Sequence, residues 1–148
     1  MKVSFVCCSQ NKVGLMRRPE NIRVLVACEF SGTVRNAFNG CGFDAWSCDL
    51  LASEDGSNRH FQCDVRSILH DGWDCLIVAH PPCTRLCNSG VRWLKQPPRG
   101  KTLDQMWHEL DEGAALFSDM WNAPIPHVAV ENPVMHKHAK KLSELSGI

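Results

Sequence analysis

The chain has no excess of charge of either sign: lysine plus arginine and aspartate plus glutamate number sixteen each. No net field steers it toward nucleic acid, and charge alone argues neither for nor against a DNA partner, since local basic patches are compatible with it. No run of about eighteen apolar residues exists, which argues against a membrane span. Met1 to Cys8 has one lysine and a short apolar run, too little for a secretory signal. Neither G-x-G-x-x-G nor a Walker A run occurs, and the turn Cys28–Gly32 holds too little glycine for a phosphate loop. The nine cysteines are odd in number and show neither an extracellular spacing nor a pair of C-x-x-C knuckles. They read as free thiols in a cytoplasmic chain, with Cys28, Cys48, Cys63 and Cys75 as small core residues. Structural zinc, with Cys83, Cys87, His80, His136 and His138 as the donors at hand, is disfavoured on the same ground.

At 148 residues the length suits one domain with one core. The stretch that organises it is Trp73 to Cys83. Its apolar run Cys75–Ala79 is short, rich in branched residues and stopped by Pro81-Pro82, the pattern of a strand buried on both faces. Proline fixes its own φ and keeps the preceding residue extended, so Cys83 is presented beyond the strand tip in a nearly fixed direction. Residues 1 to 21 look detached from the rest, without periodicity after Ser9. They read as a poorly ordered extension, with Met16 as an alternative start, and 22 to 148 form the domain proper.

Ile22 to Ala27 reads as a buried strand, followed by the turn Cys28-Glu29-Phe30-Ser31-Gly32 and a helix from Thr33 to Asn39. Ser31 is the candidate N-cap, and the helix amides could bind an anionic group such as a carboxylate. This strand, turn and helix open a nucleotide-binding α/β sheet. Phe43 to Cys48 is a second strand with Asp49 at its end, placed to accept from both hydroxyls of a ribose or else a solvated loop aspartate. Leu51 to Arg59 is too short and polar for a crossover helix. His60 to Cys63 is a third strand; Asp64 follows, either as a contact to an adenine amine or as the N-cap of a helix at Val65–Leu69.

Beyond Cys83 lies an irregular segment, Thr84 to Lys101, with five basic residues and no acidic one. Arg85, Asn88, Arg92 and Trp93 within it suit phosphates and an unstacked base, while the bland alternative is a solvated loop. Thr102 to Trp121 is the clearest helix, with Leu103, Met106, Trp107, Leu110, Ala114, Phe117, Met120 and Trp121 on one face as core. His127 to Val130 is a fifth strand ending in Glu131-Asn132-Pro133, and His136 to Leu145 begins a basic amphipathic helix. Two parallel strands thus end in Pro-Pro-Cys and Glu-Asn-Pro. A thiolate that adds to C6 of a pyrimidine, with a protonated glutamate donating to N3, makes C5 nucleophilic enough to take a methyl group.

Pro81-Pro82-Cys83 and Glu131-Asn132, behind the strand–turn–helix opening, resemble the cytosine-5 DNA methyltransferase family. Short methyltransferase-like proteins of phages and prophages are similar across Arg23 to Lys141. The resemblance implies an α/β, Rossmann-like S-adenosylmethionine-dependent methyltransferase fold with a mostly parallel sheet. It implies Cys83 as nucleophile, Glu131 as the N3 contact and Asn132 beside the substrate. Cys28, Glu29, Phe30, Ser31 and Gly32 would hold the methionine part of the cofactor, Asp49 its ribose, Asp64 its adenine, and Pro81 would adjoin it. DNA, with a flipped cytosine, would be the partner, and the basic loop 85–101 would close over the base.

The chain also departs from the family pattern. Cys-Glu-Phe-Ser-Gly stands in place of a glycine-rich turn, His80 in place of glycine, and Pro133 in place of valine. No counterpart of the later strands, the arginine-containing motif or the target recognition domain follows. The expectation is a C-terminally truncated or minimal enzyme, whose fifth strand needs a second chain or a lost segment to cover its edge. An amino-methyltransferase, whose related motif ends in an aromatic, fits Cys83 and Glu131 less well. The competing reading is a non-catalytic remnant that binds cofactor or DNA.

Overall fold

The computed structural model describes residues 18–81, 86–87, 91–131 and 137. The chain divides into two compact units, one of residues 4–81 and 120–131, the other of residues 1–3, 82–119 and 132–148.

The first unit is an α/β assembly around a five-stranded sheet. Its strands are β1 (Arg23–Ala27), β2 (Asp44–Asp49), β3 (His60–Gln62), β4 (Cys75–Val78) and β5 (His127–Val130), in the order β3-β2-β1-β4-β5. All four pairings are parallel. Parallel strands are covered on both faces, which is why Val24 to Ala27 is a continuous apolar run with no polar alternation. Side chains still alternate between faces. Val24, Val26 and Ala45 point to one side, where Val34 and Phe38 of α1 (Thr33–Gly40) pack with Ile22, Phe43, Cys75 and Ile77. Leu25, Trp46 and Leu76 lie in register on the other side. There Trp46 stacks on Phe61 at 5.2 Å, and Phe61 meets Trp73 edge-on at 6.2 Å. Arg23 lies over the Trp73 ring at 4.3 Å. Burying Leu25 and Leu76 completely contributes about 2 kcal/mol each.

Several expected boundaries shift. Residues Pro19–Asn21, placed in the extension, form a 3-10 turn that leads into β1, closed by the Ile22 amide donating to the Pro19 carbonyl at 3.0 Å. Residues 1–17 of the expected extension, and the helix expected after His136 apart from Lys137, lie outside the described residues. The helix expected at Val65–Leu69 is a single 3-10 turn, Val65–Ser67. The expected N-cap of α1 at Ser31 is corrected to Gly32, in the left-handed region at φ 76.

In the second unit the long helix is α2 (Leu103–Trp121), whose last two residues belong to the first unit. Thr102, expected as its first residue, stands just before it. The Thr102 amide donates to Gln105 Oε1 at 2.8 Å and the Gln105 amide to Thr102 Oγ1 at 3.2 Å, a reciprocal capping box. Met106, Leu110, Ala114 and Phe117 are buried at the expected three- and four-residue steps. Leu103 of the expected face is exposed, because it sits in the first turn. Leu86 reaches Gly113, where an added Cβ would stand 3.2 Å from its Cδ2. The segment expected to be wholly irregular contains a 3-10 turn, Val91–Leu94. Among the described residues no helix is long and apolar enough to cross a membrane.

Candidate ligand site at the strand ends

The carboxyl ends of β1, β2 and β3 bring Cys28, Asp49 and Asp64 into electrostatic reach of one another. Burial, reinforced by the Asp49 and Asp64 carboxylates, pushes the Cys28 thiol up to about 11. Cys28 therefore stays a neutral thiol through the neutral range. Its backbone has φ 56, the left-handed region that a non-glycine residue enters at a cost, so the chain turns sharply where β1 ends.

Glu29 differs from what its sequence position suggests. It is only 1% exposed. Its Oε1 accepts from the Val34 amide at 2.5 Å and its Oε2 from the Arg35 amide at 3.1 Å, with Ser31 Oγ donating to Oε1 at 3.4 Å. A carboxylate at helix-terminal amides satisfies donors that the helix cannot pair and complements its dipole. The anion-binding end of α1 is thus filled by a side chain of the same turn. Ser31 keeps a local role, its Oγ accepting from the Thr33 amide at 3.3 Å.

Asp49 presents the opposite case. Its Oδ1 accepts from the Leu51 amide at 2.9 Å, and its Oδ2 has no partner among the described residues. Next to it Leu50 and Leu51 are 71% and 56% exposed, and Phe30 at the β1 turn is exposed as well. Asp64 caps its 3-10 turn by accepting from the Arg66 amide at 2.9 Å, and the Arg66 guanidinium pairs with both of its oxygens. The hydrogen bonds from Arg66 hold its carboxyl below the ordinary range.

A buried network that sequence reasoning missed ties the loop after β2 to the first turn. Arg35 is fully buried and donates to Ser47 Oγ at 2.8 Å, to Asn36 Oδ1 and to Asp55. His60 Nδ1 lies 2.8 Å from Ser47 Oγ and His60 Nε2 lies 2.9 Å from the Leu51 carbonyl. A carbonyl only accepts, so Nε2 carries a proton, and in the neutral ring Nδ1 accepts from Ser47. Asp55 also accepts from Ser53 Oγ at 2.6 Å, Asn36 Nδ2 at 3.0 Å and the Ser57 amide at 3.1 Å. The bonds from Ser53 and Asn36 lead the causes that lower its pKa. The Glu54 amide donates to the Phe30 carbonyl at 2.9 Å. An arginine on an otherwise amphipathic helix, twenty-five residues before a strand histidine, gave no motif by which to find this.

At the other end of the sheet, Pro81 is buried just past β4 and Glu131 is half-buried just past β5. The Glu131 amide donates to the Val78 carbonyl at 3.0 Å, extending the ladder by one residue. Cys83, Arg85, Asn88 and Asn132 lie outside the described residues, as does the side chain of Arg92; Trp93 is half-buried. Among the described residues no group of three or more His, Cys, Asp or Glu side chains could hold a metal ion. Comparison with protein-family models, curated proteins and solved structures finds no match to this chain.

Proposed function

We propose that the chain is an S-adenosylmethionine-dependent DNA (cytosine-5) methyltransferase or its catalytic half, built on the Rossmann-like fold of that family. The observation that carries this reading is the all-parallel order β3-β2-β1-β4-β5. Sheet growth reverses between β1 and β4, and ligands of such sheets bind outside the carboxyl ends at that switch. Cys28, Asp49, Asp64, Pro81 and Glu131 stand at or just past the carboxyl ends of the five strands.

The residues present fit the nucleoside end of the cofactor. Asp49 Oδ2 supplies an acceptor for ribose hydroxyls, and exposed Leu50 and Leu51 supply apolar surface for a base. Asp64 has its carboxylate engaged by Arg66, so a contact from it to adenine competes with that pair. At the methionine end the α1 amides already hold Glu29, and a ligand carboxylate needs other donors. When bound, the cofactor supplies an electrophilic methyl group on a sulfonium sulfur.

In this reading Cys83, two residues past Pro81 in the sequence, adds its sulfur to C6 of the base; once C5 is methylated, the C5 proton is lost to water as the C6–S bond breaks and Cys83 leaves as a thiolate. Glu131 delivers a proton to N3 on addition and takes it back on elimination, so the ring does not accumulate negative charge. Arg85, Arg92, Lys95, Arg99 and Lys101 provide phosphate contacts, with Trp93 for stacking. Glu29's occupation of the helix end favours the second reading, a non-catalytic remnant that binds cofactor or DNA without turnover.

Trapping on a 5-fluorocytosine oligonucleotide with S-adenosylmethionine separates the two. Fluorine at C5 blocks elimination, so the enzyme stays attached through Cys83 and runs as a shifted band on a denaturing gel. The band is expected, and it is expected to vanish in Cys83→Ala. Its absence across varied sequences, from a chain that binds the cofactor, overturns the catalytic reading in favour of the remnant.

A further inference from the structure

We propose that Cys48 and Cys63 are a redox pair that closes reversibly into a disulfide joining the ends of β2 and β3. Cys48 is fully buried in the last turn of the pleat of β2, and Cys63 is the half-buried residue that follows β3. Their sulfurs are 3.8 Å apart, and the Cys48 thiol donates to the Cys63 carbonyl at 3.4 Å, which aims it at its neighbour. The backbones are already tied, the Cys63 amide donating to the Asp49 carbonyl at 3.0 Å. A disulfide needs its sulfurs about 2.05 Å apart, so closure asks for an approach of about 1.8 Å.

The pair has an accessible member and a protected one. A peroxide reaches the half-buried Cys63, whose sulfur takes one oxygen to become a sulfenic acid while the other leaves as water. The Cys48 thiol then displaces that oxygen as a second water and forms the S–S bond. Two thiols lose two protons and two electrons, and one peroxide becomes two waters. A dithiol reductant reverses the bond by exchange. Burial, with Cys63 as a further cause, pushes the Cys48 thiol up, so Cys48 is not the sulfur that an oxidant attacks first.

Each cysteine immediately precedes a strand-end carboxylate, Cys48 before Asp49 and Cys63 before Asp64. Drawing the sulfurs together moves both acceptors of the nucleoside end, so closure weakens ligand binding; this consequence rests on the cofactor reading above.

The test uses the full chain with exposed Cys41 replaced, Cys41→Ser, since Cys41 shares a tryptic peptide with Cys48. The reduced chain is treated with hydrogen peroxide, alkylated under denaturing conditions and digested with trypsin. The expected product links the peptide of residues 36–59 to that of residues 60–66, separates on reduction, and is absent from Cys63→Ser and Cys48→Ala chains that retain the parent circular dichroism. Complete alkylation of both peptides, over-oxidised unlinked Cys63, or a link from Cys63 to the peptide of residues 24–35 that carries Cys28 overturns the pairing. Titration with S-adenosylmethionine then compares the two redox states, the oxidised chain binding about tenfold more weakly. Equal affinities overturn the coupling with the linked peptide still standing. Absence of binding by the reduced chain overturns the cofactor reading and the coupling together, and leaves the disulfide result independent of both.

Discussion

The ends of β1 and β2, adjacent in the sheet, each carry a carboxylate, and the fold uses the two in opposite ways. Glu29 gives both oxygens to the amides of α1 and is sealed from solvent. Asp49 gives one oxygen to its own loop and keeps the other for whatever approaches. Helix-terminal amides are a ready anion site, and at β1 the protein supplies its own anion, so the turn is complete without a ligand. At β2 an acceptor is left over, flanked by exposed leucines. The difference teaches that a ligand at this edge is organised by β2, and that the first turn serves chiefly as a wall.

The comparison breaks most severely at Gly32. It sits at φ 76, and an added Cβ would stand 2.7 Å from Asp55 Oδ2 and 2.9 Å from Arg35 Cζ. Gly32→Ala therefore combines backbone strain with displacement of the Arg35–Asp55 pair, in which the arginine is buried and the aspartate part-exposed. We expect a loss of about 3 kcal/mol, read as a lowered midpoint in denaturant unfolding. Glu29→Ala comes next: it leaves two α1 amides without an acceptor, and the expected loss is about 2 kcal/mol. Glu29→Gln keeps one acceptor and should lose about half as much. If Glu29→Ala were as stable as the parent, the wall would not depend on its built-in anion.

Asp49→Ala sharpens the other side. Its stability should stay within about 0.5 kcal/mol of the parent, since only one loop hydrogen bond is lost near the surface. S-adenosylmethionine affinity should fall about tenfold, the cost of about 1.4 kcal/mol for a missing charged acceptor. Calorimetric titration of the two chains checks it. Equal affinities would show that the open oxygen is not where a ribose binds.

The strands were legible because buried parallel strands write themselves as apolar runs, and Val24 to Ala27 and Cys75 to Val78 could be read with almost the observed limits. The long helix was legible by its period, and its capping box explains why Thr102 stands outside it. What escaped was side-chain chemistry at a distance. The cap of α1 comes from Glu29, five residues before Val34, where local rules look to the residue next to the helix. The Arg35–Ser47–His60 chain joins a helix to two strands, and no spacing announces it. Cys48 and Cys63 looked like separate core residues because only the β2–β3 register brings their sulfurs together.

Asp64 is the carboxylate on which the contrast has least purchase, since it is both a cap and a half-exposed ion pair with Arg66. Its folded pKa is depressed, chiefly by the Arg66 side chain. A depressed carboxyl contributes stability that is complete above its unfolded pKa and is lost as pH falls through the lower folded value. Asp64→Asn should therefore cost about 0.5 kcal/mol at neutral pH, as expected for an exposed pair. That difference should shrink as the solution is acidified below about pH 4, where the unfolded carboxyl takes up its proton. Denaturant midpoints of parent and variant at neutral and acid pH read the effect directly. A difference that stayed constant across that range would mean that the cap alone stabilises the turn, with the ion pair to Arg66 contributing nothing measurable.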